Sequence, residues 1–118
     1  METVRITCGR VDPLLGTGVT TTSTGNAKYK DGVYATFQAT VVGTGTVTAT
    51  IVIDCSNDTS GTGGTPQYWC STPLGTITLS GTTSASDGFT TSAPWKFVRA
   101  RVTAITGTGA TVTAIIGI

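Results

Sequence analysis

The chain has 118 residues, of which 38% are apolar and only 11% charged, with a formal net charge of +1. That is the length of one domain, residues 1–118, with enough apolar material to bury a core. It excludes the clustered Lys and Arg that a nucleic-acid footprint needs, and no apolar run is long enough to cross a bilayer as a helix.

The 28 Thr and 16 Gly set the local chemistry. Threonine is β-branched and suits a pleated strand, while glycine supplies the left-handed backbone of tight turns. No run has the 3.6-residue period of a helix. The composition therefore predicts an all-β chain.

In chain order, "TVRITC" alternates Val4, Ile6 and Cys8 against Thr3, Arg5 and Thr7, which predicts a first strand. No apolar leader precedes it, so the expectation is synthesis and use without Sec export. "GVTTTST" reads as a polar edge strand. "FQATVVGTGTVTATIVID" predicts a hairpin whose loop is Gly43-Thr44-Gly45. In that register Val41 faces Val47, Ala39 faces Ala49, Phe37 faces Ile51 and Ala35 faces Ile53, and a one-residue slip would turn this apolar set outward. "QYWCS" reads as a short strand, and "GTITLSG" as another with Ile77 and Leu79 on one face. "RVTAITGTGATVTAIIGI" predicts a second hairpin about Gly107-Thr108-Gly109. It sets Ala104 against Val112, Val102 against Ala114, Ala100 against Ile116 and Val98 against Ile118. Turn signals stand at Asp12-Pro13, Asp31-Gly32, Thr72-Pro73, Asp87-Gly88 and Ala93-Pro94. Seven or eight strands at this spacing predict an antiparallel β-sandwich, jelly-roll-like in outline. The two Gly-Thr-Gly segments are read as two solutions to one packing problem, since their flanks do not repeat at a solenoid period.

The sequence offers no active site. It has no His, which removes every Ser-His or Cys-His nucleophile arrangement and the commonest metal ligand. Asp12, Asp31 and Asp87 sit beside Pro or Gly, where turn formation is their ordinary work. Asp54, Asn57 and Asp58 flank a loop and carry oxygen a cation would accept, but their spacing matches no EF-hand, so neither a metal nor a cofactor is expected. "GTGGTP" lacks the Lys-Ser/Thr of a phosphate loop. Three Cys is an odd number and fits a reducing compartment, with pairing of Cys55 and Cys70 across the intervening loop left open.

Two features point to binding. Tyr68 and Trp69 end the polar loop "SNDTSGTGGTPQ", where an aromatic pair either plugs the core or anchors a partner. Trp95, Phe97, Arg99 and Arg101 share the nominal outer face of the last hairpin with Ile105. Trp and Arg dominate contact energetics at interfaces. The competing readings there are a second layer packed on that face, or arginine stems lying over apolar surface.

The ending "PWKFVRARVTAITGTGATVTAIIGI", Pro94 to Ile118, resembles the C-terminal region of small virion proteins of tailed bacteriophages, the capsid decoration, cement or head-stabilising proteins. The resemblance implies a β-sandwich that binds the major capsid protein on the outside of the shell as a homo-oligomer, a dimer or trimer. It implies no enzyme activity, and synthesis in the host bacterial cytoplasm followed by residence on the virion. No site residue carries over from it. The rival reading is a tail or head-fibre module that stacks a host-surface glycan on Trp69 or Trp95.

Overall fold

The alternation of branched and hydroxyl residues runs straight through both Gly-Thr-Gly segments, and so does the backbone. The computed structural model describes residues 9–30 and 32–118. It contains β1 (Val11–Pro13), β2 (Ser23–Thr24), β3 (Lys28–Tyr29), β4 (Ala35–Ser56), β5 (Gly75–Thr91) and β6 (Phe97–Gly117). These form one antiparallel six-stranded sheet in the order β1-β6-β4-β5, with β2 and β3 also lying along β6. The expected strand in "TVRITC" lies outside the described residues.

The two predicted hairpins are not hairpins. β4 does not pair with itself; it pairs with β5 from Ala35↔Thr91 to Ile53↔Gly75 and with β6 from Thr36↔Gly117 to Ser56↔Phe97. Gly43-Thr44-Gly45 and Gly107-Thr108-Gly109 lie side by side, with Thr44 opposite Thr108. Register shifts flank both segments, and β4 bulges against β5, with Gly43–Gly45 opposite the single residue Thr83, which has φ 63°. Gly45 at φ 71° and Gly109 at φ 63° take left-handed backbone there, which an L side chain rarely adopts. All three long strands bend at one line, as bulges allow.

The bend is sharp. Twenty-two residues of extended β4 would reach about 73 Å at roughly 3.3 Å per residue, yet the longest dimension of the molecule is 48 Å. Gly75 and Phe89 stand near opposite ends of β5, but a Cβ on Gly75 would lie 2.5 Å from the Phe89 ring. The five residues 92–96 suffice to carry the chain from the end of β5 to the start of β6. The sheet is thus doubled back into two arms. The first contains β1 and residues 35–42, 84–91 and 110–117; the second contains β2, β3 and residues 46–56, 75–82 and 97–106.

One apolar cluster fills the space between the arms. Phe37, Val41, Val112 and Ile116 come from the first arm; Val47, Ile51, Ile53, Val98 and Val102 come from the second. Leu14 and Leu15 close a side. Phe37 stacks on Phe89 with centroids 5.0 Å apart. Every residue placed on the inner face of the first expected hairpin is buried, because 41 and 47 keep the same parity whether the chain turns back or merely bends.

The last strand departs from that parity. A bulge sets Thr50 opposite Ala104 but Ile51 opposite Val102, leaving Thr103 extra. The faces swap beyond it. Ala104, expected inside, is exposed, and Ile105, expected outside, packs on the core. "QYWCS" forms no strand, and Asp87-Gly88, expected as a turn, lies inside β5. The strand count is six among the described residues: each expected hairpin is one continuous strand, and β1 and β3 are short strands that were not expected.

The long edge of β6 is covered by β1, by a Val19↔Val112 bridge, and by β2 and β3. After β3 the chain crosses back to the first arm. Lys30 is buried at this crossing, its Nζ donating to the carbonyls of Gly32 and Val33. Burial holds its pKa below the usual lysine value.

Gly75→Ala should lower the melting temperature by roughly 5–10 °C, the size of an overpacking penalty in a domain of this length. Combining it with Phe89→Leu should restore part of the loss in a double-mutant cycle. Additive effects would mean that the two ends of β5 do not meet.

Candidate functional site

The loop 57–74 leaves β4 at the tip of the second arm and folds back over its outer face. Asp58 organises the start. Its carboxylate accepts the backbone N–H groups of Ser60 (3.0 Å), Gln67 (2.9 Å) and Tyr68 (2.8 Å) and the Ser60 hydroxyl (3.0 Å). The Tyr68 N–H first, then the Ser60 hydroxyl and the remaining amides, hold the Asp58 pKa down at about 2. Ser56 adds a second tie, its hydroxyl donating to the Tyr68 carbonyl at 2.6 Å and accepting from the Asp58 N–H at 3.0 Å.

These ties set Trp69 on the sheet. The Arg99 guanidinium lies 4.3 Å from the centroid of the Trp69 ring. Beneath it Asp54 is buried and accepts from Arg99 Nε (2.9 Å), Arg101 Nε (2.9 Å) and Arg101 Nη2 (3.1 Å). Burial pushes the Asp54 carboxyl up, but the bonds from Arg101 and Arg99 outweigh it and hold the group below the usual carboxylate range. Asp54 in turn raises the Arg101 pKa. The pair of arginines thus has its charge partly answered from inside, while their side chains stay 25% and 39% exposed.

The six nominated residues fall into three situations. Trp69, Arg99 and Arg101 stand together, Trp69 over Arg99 and both arginines on Asp54, and Tyr68, 69% exposed, precedes Trp69 on the loop. Trp95 is half-buried against a cavity shared with Cys55, Cys70, Pro73 and Leu74. Phe97 is on the outer face as expected but buried. Tyr29 meets it edge-on at 5.9 Å and the Lys96 ammonium stands 5.7 Å from its ring, so it offers nothing to a partner.

Sequence reasoning missed the roles of Asp54 and Asp58 and two exposed aromatics. Asp54 was read as a loop-flanking oxygen donor, and its parity, even-numbered like the outer-face threonines, was the available signal that it lies under the arginines. Asp58 in "SNDTS" was the signal for a side chain that folds its own loop. Tyr29 and Tyr34, 53% and 78% exposed, went unnamed as surface aromatics. Asp54 bonds Arg99 and Arg101 while Asp58 bonds its own loop, and among the described residues no three His, Cys, Asp or Glu side chains stand together.

Asp58 contributes stability in its charged form. That contribution is complete above about pH 4, the ordinary carboxylate range, and is lost as the pH falls through about 2. Protease cleavage within 57–69 should therefore rise between those limits, and Asp58→Asn should show the raised cleavage already at neutral pH. Asp54→Ala should cost about 2 kcal/mol by chemical denaturation, less than for a wholly buried pair because Arg101 reaches water.

No protein-family model, no curated protein and no solved structure matches this chain.

Proposed function

We propose that the chain is a bacteriophage virion protein that binds the outer surface of the capsid and stabilises the shell. The observation that carries this reading is the Tyr68–Trp69–Arg99–Arg101 surface. It joins aromatics on a loop already ordered by Asp58 and Ser56, one of them exposed, to a stacked cation on β6. Residues of this kind, fixed before contact, bind without a large ordering cost. The resemblance of Pro94–Ile118 to the ending of decoration proteins supplies the biological setting. We read the doubled sheet as the sandwich expected of that class.

The action is binding and not catalysis. Surface covered only in the assembled shell stabilises that state by mass action, and repeated copies on a symmetric lattice add avidity. A second support is the free edge of β5, which pairs only with β4 among the described strands. Its stretch Gly75–Gly81 has no charge and no proline, the usual guards of an open edge. That edge suits strand pairing in a homo-oligomer or against the major capsid protein.

Counting the chain in purified virions by quantitative mass spectrometry tests this reading. Hundreds of copies, located over the head by immunogold labelling, are the expected result. A handful at the tail would replace it with the glycan-binding alternative, in which Trp69 or Trp95 stacks a sugar. Tyr68→Ala, whose side chain touches little of its own protein, should keep its fold and lose about tenfold or more in shell affinity.

A further inference from the structure

Two thiols meet where the loop returns to the sheet. Cys55 lies near the end of β4 and is buried; Cys70 follows Trp69 and is half-exposed, and both are free. The Cys70 N–H donates to the Cys55 carbonyl at 3.0 Å. That single bond sets the two backbones side by side, and a disulfide spans Cα atoms roughly 4.4–6.8 Å apart. Both residues line the same cavity, with Thr72, Pro73, Leu74 and Trp95, and exposed Ser71 and Thr72 leave it open to water. The Cys55 thiol faces Cys70 and makes a long contact, 4.0 Å, with the Thr72 carbonyl.

We propose that Cys55 and Cys70 are a modification site, a dithiol that a low-molecular-weight disulfide such as oxidised glutathione closes into an intramolecular disulfide without rearranging the fold. Cys70, the more exposed, attacks the small disulfide as its thiolate and releases one small thiol. Cys55 then gives up its proton and attacks the Cys70 sulfur, releasing the second. Two protein S–H bonds are lost, one S–S bond forms, and one small disulfide is reduced to two thiols. Burial, then the neighbouring Cys70, pushes the Cys55 thiol up to about 11, which makes the second step the slow one near neutrality.

The consequence is local. Trp69 immediately precedes Cys70, so the bond would fasten the stacked ring and the end of the 57–69 loop to β4 covalently. The charged ties from Asp58 hold the other part of the loop and fail in acid; the disulfide does not. This inference is independent of what the surface binds.

The test uses the full chain with Cys8→Ser, so that only these two thiols remain. The folded protein is incubated with oxidised glutathione, and intact mass and alkylation after denaturation are read. The expected product has lost two hydrogens, carries no glutathione and resists alkylation. Its formation should accelerate about tenfold per pH unit between pH 7 and 9, as an attacking thiol with a pKa well above that range requires. Cleavage of the 57–69 loop should slow about tenfold on oxidation and recover with reductant. In the same background Cys55→Ser should stop at a glutathione adduct on Cys70. If that variant does not fold, Cys70→Ala should remain free of both adduct and disulfide. An unchanged mass in the folded protein, a lasting adduct on Cys70 with Cys55 intact, or closure only after unfolding would each overturn the proposal.

Discussion

The structure depends on one line of bending. At Gly43–Gly45, Thr83 and Gly107–Gly109 three neighbouring strands turn together, and the sheet doubles onto itself. A single sheet with one apolar face has nothing to bury that face against. Here the same strands supply both surfaces, so the core needs neither a helix nor a second independent sheet. The glycines at the bend serve geometry, and the threonines between them continue the outer faces. This is why two segments with no reactive side chain carry so much of the sequence's regularity.

The bend also explains what was legible in the sequence and what was not. The inner face was readable residue by residue: Phe37, Ala39, Val41, Val47, Ala49, Ile51 and Ile53 are all buried as expected. Partnership was not readable, because a three-residue loop and a bent strand preserve the same alternation. Choosing between them needed the second half of β5. That stretch, "SASDGFTT", is poor in apolar residues and shows a turn signal at Asp87-Gly88, so nothing in it announced a strand long enough to line β4. The swap at Ala104 and Ile105 was beyond reach for a related reason, since a bulge is a relation between strands. At the site, the residue types were recognisable while their roles were not. Phe97 is covered, and Asp54 answers both arginines.

Asp54 shows how a sparsely charged protein keeps a charged surface. Two adjacent outer-face arginines on one strand would repel each other, and a buried carboxylate alone would be costly. Placed together they compensate, and the stacked Trp69 then fixes the direction of Arg99. The loop that crosses this cluster is held at its start by Asp58, at its middle by Ser56 and Tyr68, and at its end by Cys70 and Leu74 bonding to β4. A segment with so many glycines would otherwise sample many conformations.

Doubling a sheet through its own strands has a kinetic side. The contacts that close it join residues far apart in the chain: Thr36 pairs with Gly117, and Ser56 with Phe97. Such topology slows folding, because distant segments must meet before any of them is rewarded. It also ties the halves of the molecule to a common fate. Neither arm can peel away while β4, β5 and β6 run through both, so opening must proceed as one event with a high barrier. A chain built this way trades quick assembly for long survival once assembled, which is a property of persistence in time more than of depth in free energy.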